Sequence, residues 1–73
     1  MVDELFEKKL KFTSWCIEEY ASKNNISGRS VANLFSETKV LDFLSNHYDV
    51  LHTQGKSYII ATIEDFINAG DGK

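Results

Sequence analysis

Few side chains of this sequence have the types and spacing that catalysis or metal binding requires. His47 and His52 are five positions apart, so a helix would not place them on one face. Cys16 lies inside an apolar helical pattern, which is typical of a core thiol. The neighbouring acids of Glu18–Glu19 and of Glu64–Asp65 diverge on a helix. The sequence therefore predicts a protein that is not an enzyme and that holds no metal and no cofactor.

The segment "YDVLHTQGKSYI" covers residues 48–59 and separates two helical patterns. Thr53 is a suitable N-cap for the second of these helices, and Gly55 would relieve backbone crowding near its start. Val50 and Leu51 are expected to anchor the segment in the core, because the sequence turns from apolar to polar directly after Leu51. The segment is thus predicted to be partly a structural corner and partly a surface.

A protein-binding surface is predicted beside that corner. At about 100° per residue, Trp15 lies opposite Phe6 on the first helix, among charged residues, and an exposed Trp often anchors a protein interface. His52 and Gln54 have no evident helical role, so we expect them to face outward near Trp15. The predicted partner-binding residues are therefore Trp15, His52 and Gln54. The alternative is that the segment 48–55 simply covers Trp15, because large aromatic side chains are usually mostly buried.

The segment "YASKNNISGRSVANLF" has the pattern of a helix-turn-helix, which makes DNA binding the alternative function. Ala21 permits close approach of two helices, and Asn25 suits the turn between them. Arg29, Asn33 and Ser36 would then face a major groove, with Arg29 suited to guanine and Asn33 to adenine. Any two helices joined by a short turn need similar residues, and a recognition helix usually carries more than one basic residue. Protein is therefore expected as the partner before nucleic acid.

Composition limits the chain to one small domain. It has 73 residues, a net charge of −3 and one cysteine, Cys16, which has no partner for an internal disulfide. A fold without disulfides suits a reducing compartment, and the charged N-terminus does not resemble a signal peptide. No apolar run approaches the length of a membrane span. We therefore expect a cytoplasmic protein with no membrane segment and, because acids slightly outnumber bases throughout, no strongly basic face.

Four helical patterns would position these residues. The first runs over residues 3–23, with an apolar side broad enough to contact several other helices. Ser27 is predicted to cap the second helix, with Ile26 and Val31 in the two positions of a hydrophobic staple.

The third and fourth patterns follow the same logic. Thr38 is predicted to cap a third, short helix that continues to Tyr48. The fourth helix has a narrow apolar arc, with Gly70 in the position of a C′ glycine and a frayed tail over residues 68–73.

The sequence as a whole predicts an all-α fold, a single domain over residues 1–73 with about four helices. One alternative remains open for residues 50–63. "DVLHT" and "SYIIATI" could form a β-hairpin, which would make the fold winged-helix-like. The helix is preferred because Ile60, Phe66 and Ile67 fit only the longer period.

The segments "FTSWCIEEYASKNNISGRSVANLF" and "VLDFLSNHYDVLHTQGKSYIIATIEDFI" resemble a family of very short bacterial proteins of unknown function. The resemblance extends over residues 12–67, and "YDVLHTQG", which fits a Y-[acid]-VLHTQG motif, is its most specific part. Genes of this family often neighbour a gene for an ADP-ribosyltransferase-like toxin, so the resemblance implies an antitoxin-like or accessory role with that toxin as partner. The chain departs from the family pattern at Ser30, where an acid is common, and after "QG", where the family carries more acids. The resemblance carries over no catalytic residue.

Overall fold

The computed structural model describes residues 3–71, with side chains up to Ala69, and every regular element in that range is helical. Its five helices are α1 (Glu4–Asn24), α2 (Gly28–Glu37), α3 (Val40–Asn46), α4 (Tyr48–Leu51) and α5 (Lys56–Asp71). The all-α prediction is confirmed. The β-hairpin alternative is wrong, because the β-branched run belongs to α5 and its helical period places Ile59, Ile60 and Ile63 in the core. None of these helices is long and apolar enough to cross a membrane.

Local side-chain chemistry explains where α1 begins and ends. The Asp3 carboxylate accepts a hydrogen bond from the backbone N–H of Leu5 at 3.1 Å and caps the first turn. At the other end, Asn25 has a left-handed backbone with a φ of 55°, in keeping with the predicted turn. The N–H groups of Asn25 and Ile26 then donate to carbonyl groups of the last turn of α1, in the pattern of a Schellman motif.

The start of α2 also follows the prediction. The Ser27 Oγ accepts a hydrogen bond from the N–H of Ser30 at 3.1 Å. Val31, four residues after the cap, is fully buried. Ile26 stays 43% exposed, so it is not buried together with Val31 as the predicted staple would require. Val31 therefore holds this end of α2 in the core.

The joint between α2 and α3 corrects the predicted role of Thr38. Thr38 ends α2 and does not cap α3, because its Oγ1 donates to the carbonyl group of Leu34 at 2.7 Å. A threonine hydroxyl can donate to an earlier carbonyl or accept from a later N–H, and here it donates. Lys39 then takes a left-handed backbone, with a φ of 67°, that turns the chain into α3. The predicted third helix is also interrupted at His47, which separates α3 from α4.

The start of α5 corrects two further predictions. Thr53 does not cap α5, because its Oγ1 donates to the carbonyl group of Val50 at 2.8 Å and closes the end of α4. Helix α5 begins at Lys56, and the carbonyl group of Gly55 accepts a hydrogen bond from the N–H of Ile59 at 3.0 Å. Gly55 does not relieve crowding, since a Cβ added there would meet no described atom within 4 Å.

Helix α5 extends beyond its predicted end. It passes through Gly70 to Asp71, so Gly70 is not the C′ residue. A glycine weakens a helix by about 1 kcal/mol relative to alanine but keeps its backbone N–H, so the hydrogen-bond ladder can continue through it. Of the tail that was predicted to fray, residues 68–71 are helical and residues 72–73 lie outside the described part of the chain.

The C-terminal half of α1 lies at the centre of the fold, as its broad apolar side predicted. Helix α1 contacts α2, α3 and α5, and it buries Cys16, Tyr20 and Ala21. The other buried apolar side chains of the core cluster come from the remaining four helices: Val31, Phe35, Val40, Leu44, Leu51, Ile59, Ile60, Ile63 and Ile67. The N-terminal half of α1 runs past this core, and its apolar side chains Leu5, Phe6 and Leu10 are exposed.

Candidate partner-binding site

The first predicted binding residue, Trp15, is partly buried. Its ring stacks on that of Phe12, with the ring centroids 6.2 Å apart and the ring planes 21° from parallel. Both side chains pack against the hydrophobic core. Trp15 is therefore an intermediate case between the exposed anchor and the covered side chain that the sequence left as alternatives. The domain holds one part of it and leaves the rest accessible.

An aromatic row connects Trp15 to His52. Phe12 meets Tyr48 edge-on, with centroids 5.5 Å apart and planes at 78°. Tyr48 in turn stacks on His52, with centroids 4.4 Å apart and planes at 8°. We call Trp15, Phe12, Tyr48 and His52 the aromatic row. Because Trp15 and Phe12 belong to α1 while Tyr48 and His52 belong to the α4 region, the row exists only when these two parts of the chain are packed together.

His52 has a structural role that the sequence did not reveal. Its side chain is exposed, and its Nδ1 lies 2.7 Å from the backbone carbonyl oxygen of Tyr48, four residues earlier. Since a carbonyl oxygen only accepts hydrogen bonds, Nδ1 is the donor in this contact. The hydrogen bond and the stacking on Tyr48 together hold the imidazole in one orientation at the end of the aromatic row.

The corner after α4 presents Gln54 and, unexpectedly, Val50. Gln54 is exposed, and its Nε2 donates to Thr53 Oγ1 over a long 3.4 Å. Leu51 is buried as predicted, but Val50 is 60% exposed, so the prediction that both residues anchor the core is wrong for Val50. Within the single turn of α4, Tyr48 and Leu51 share the inner side and Val50 points away from it.

The residues of the alternative DNA-binding site lie on one face of α2. Arg29, Asn33 and Ser36 are all exposed, and their spacing places them within about 60° around the helix axis. The left-handed Asn25 and the Ser27 cap make the preceding turn short, which is compatible with a helix-turn-helix. Whether this face binds DNA remains a prediction.

A polar groove of about 240 Å³ lies between α1 and α5. Two ion pairs connect α1 to α5 here, Glu19 with Lys56 at 3.4 Å and Lys23 with Glu64 at 3.0 Å. Each lysine therefore already has a carboxylate partner. Exposed pairs of this kind contribute about 0–1 kcal/mol to stability, and the groove is best described as the joint between the two helices.

Cys16 is the core thiol that the sequence predicted. It is fully buried, and burial raises the pKa of its thiol to about 12. The thiol is therefore protonated at neutral pH and is not the thiolate that nucleophilic or metal chemistry uses. Among the described side chains, no three His, Cys, Asp or Glu residues lie together as they would around a metal ion.

Comparison with known proteins adds a family. Residues 11–69 match the model of the family described as "Protein of unknown function (DUF3791)". The matched segment contains the whole aromatic row, Gln54 and the exposed face of α2, whereas Phe6 and Leu10 precede it. No curated protein and no solved structure matches the chain.

Proposed function

The chain belongs to this family of unknown function, and on that premise we propose that it is a non-catalytic protein-interaction module. The observation that carries the proposal is the aromatic row, which links Trp15 to His52 through the ring contacts of Phe12 and the buried Tyr48. Its partner is a protein encoded by a neighbouring gene, in an antitoxin-like or accessory role. That last step rests on the likeness of "YDVLHTQG" to the Y-[acid]-VLHTQG motif and on the gene neighbourhood that the resemblance implies.

Preorganisation favours Trp15 and His52, the two ends of the aromatic row, as binding residues. Rings that are already stacked and hydrogen-bonded lose little conformational freedom on binding, so more of the contact energy remains as affinity. Trp15 supplies the apolar anchor that is common at interface hot spots. His52 Nε2 and the Gln54 amide supply polar groups that can meet a partner's donors and acceptors. We further place the module in the cytoplasm, where a lone cysteine stays reduced.

Calorimetry with the purified neighbour-encoded protein tests this proposal. Trp15→Ala should weaken the complex at least about 30-fold, which corresponds to about 2 kcal/mol at a hot spot. His52→Asn keeps an amide donor near the position of Nδ1 but removes the ring and Nε2, so it should weaken binding while the melting temperature falls only slightly. Gln54→Ala should weaken binding without changing the melting temperature.

Arg29→Ala, on the exposed face of α2, is the control and should bind the partner like the wild type. The proposal fails if Trp15→Ala and His52→Asn unfold at lower temperature yet bind as tightly as the wild type. The aromatic row would then be a packing feature, and the binding face would lie elsewhere.

A second candidate function is DNA binding through α2. The observation in its favour is the single exposed face with Arg29, Asn33 and Ser36 after a short capped turn. We expect the chain to bind weakly to the DNA upstream of its own gene. The affinity should fall steeply as the salt concentration rises, because few phosphates can be contacted. Tight, sequence-selective binding that is lost in Arg29→Ala and in Asn33→Ala would place this function first.

A further inference from the structure

A second surface, separate from the aromatic row, lies where the N-terminal half of α1 runs beside α3. A groove of about 210 Å³ separates the two helices there, and we call it the N-terminal groove; its lining residues are Phe6, Lys9, Leu10, Thr13, Leu41 and Ser45. Phe6 and Leu10 are 57% and 53% exposed, although they belong to the same apolar stripe as the core residues of α1. We propose that the N-terminal groove docks one amphipathic helix of a partner protein, and that a carboxylate beside the apolar face of that helix pairs with Lys9.

The shape and lining of the groove favour a helix. Phe6 and Leu10 are one helical turn apart on α1, and Leu41 faces them from α3, so two helix surfaces form an apolar trough. A third helix can pack its own ridge of side chains, three and four residues apart, into such a trough. Thr13 and Ser45 add hydroxyl groups to an otherwise apolar lining.

Lys9 specifies the charge of the partner. It is the charged residue in the lining, it is partly buried, and its ammonium group pairs with no carboxylate within the described residues. The neighbouring Lys8, by contrast, has Glu4 at 3.8 Å. A carboxylate carried beside the apolar face of an incoming helix would give this ammonium group an opposite charge, and the charge-assisted hydrogen bond between them would form at the edge of the apolar contact.

A second copy of this chain fits the groove less well than a foreign helix. In a symmetric pair the groove would meet an identical groove, whose lining residues include no carboxylate that could pair with Lys9. A two-fold pair of antiparallel α1 helices would also bring the same flank of each helix together, and Lys9 would then face Lys9 of the second copy. That like-charge contact opposes self-association.

This inference does not rest on the aromatic row. Trp15 projects from the side of α1 opposite Phe6, and the residues that α1 contributes before position 11 precede the segment that matches the family. The two surfaces can therefore be tested by separate variants of the same full chain.

The experiment is a titration of the ¹⁵N-labelled full chain with two synthetic amphipathic helical peptides, followed by NMR. The peptides share one leucine-rich face and differ only at one flanking position, which is Glu in the first and Lys in the second. We expect shifts centred on Phe6, Leu10, Leu41 and Ser45, and at least about 5-fold tighter binding of the Glu peptide.

Four variants separate the contributions of the groove from those of other surfaces. Lys9→Gln should abolish the preference for the Glu peptide, whereas Lys8→Gln, on the other side of α1, should keep it. Phe6→Ser should weaken both peptides at least about 10-fold, and because Phe6 is exposed it should leave the melting temperature nearly unchanged. Trp15→Ala should bind both peptides as the wild type does.

Four results would overturn the inference. The first two are equal affinity for the two peptides and shifts centred on another surface. The third is that dilution of the free protein produces the same shifts and that sedimentation shows a dimer. The fourth is that the chain binds decanoate, a fatty acid, more tightly than it binds the Glu peptide. The third would identify a second copy as the occupant, and the fourth a fatty acid. Loss of neighbour binding in Trp15→Ala bears only on the proposed function, so the two ideas can fail independently.

Discussion

The two halves of α1 carry one continuous apolar pattern but lie in different environments. In the C-terminal half, Cys16, Tyr20 and Ala21 are buried beneath the other helices. In the N-terminal half, Phe6 and Leu10 remain more than half exposed. A helical period determines the direction in which a side chain points, whereas coverage depends on how far the neighbouring helices reach. Here α3 lies beside the N-terminal half of α1 without covering it, and the N-terminal groove stays open between the two helices.

The largest expected effect compares a phenylalanine in the core with one in the groove. Phe35→Ala should lower the free energy of unfolding by roughly 3–5 kcal/mol, because Phe35 is fully buried and its ring meets Tyr20 edge-on at 5.3 Å. Phe6→Ala should change it by about 0.5 kcal/mol or less, since Phe6 is mostly exposed. Urea unfolding of both variants measures the difference. Similar losses would show that the N-terminal half of α1 is covered in solution.

High pH should destabilise the buried half of α1 through Cys16. The pKa of this thiol is about 12 in the folded chain and near its ordinary value of 9.0 when unfolded. The pKa is higher in the folded chain than in the unfolded chain. The contribution of the thiol to the free energy of unfolding is therefore fully present below pH 9 and is lost as the pH rises toward 12. The loss amounts to roughly 4 kcal/mol over that window.

Tyr20 acts in the same direction, because burial and then the charge of Glu64 raise the pKa of its phenol, while Lys23 opposes them. The free energy of unfolding of wild type and Cys16→Ala, measured from pH 8 to pH 11, isolates the thiol. Their difference should shrink as the pH rises, and parallel curves would contradict the proposed role of Cys16.

The contrast between the direction in which a side chain points and its coverage by other helices can also be tested within α4. Leu51→Ala should cost roughly 2–5 kcal/mol, because Leu51 is 4% exposed in the core. Its neighbour Val50 points outward, so Val50→Ala should cost about 0.5 kcal/mol or less. Thermal and urea unfolding of the two variants would be compared. A large loss at Val50 would mean that α4 packs with the other side inward.

The smallest effect concerns the two joints of α2. Lys39, in the turn after α2, and Asn25, in the turn before it, both hold a left-handed backbone. A short asparagine side chain can stabilise that conformation by hydrogen-bonding locally, whereas a lysine side chain cannot. Lys39→Gly should therefore raise the free energy of unfolding by about 0.5 kcal/mol, since glycine relieves the strain but adds freedom to the unfolded chain. Asn25→Gly is the matched control and should gain less. A loss of stability in Lys39→Gly would show that its φ is not strained.

Part of the candidate site could be predicted from the sequence, because some roles depend on type and local spacing alone. Trp15 stands outside the apolar stripe of its helix, and Gln54 lies in a polar corner, so both were recognisable as surface candidates. The ring contacts of His52 and the exposure of Val50 were not predictable. They follow from the break at His47, which reorients α4 against α1.

The sequence by itself determined the helical class, the cap at Ser27 and the left-handed turn at Asn25, because each depends on groups within about four residues of one another. Only the tertiary structure decided how the hydroxyl groups of Thr38 and Thr53 are used, since donating backward and capping forward are both open to threonine until the path of the next helix selects one. Tertiary packing likewise decided which half of α1 is covered. Burial is set by the length and placement of other helices, and these are properties of the whole fold that no local pattern contains.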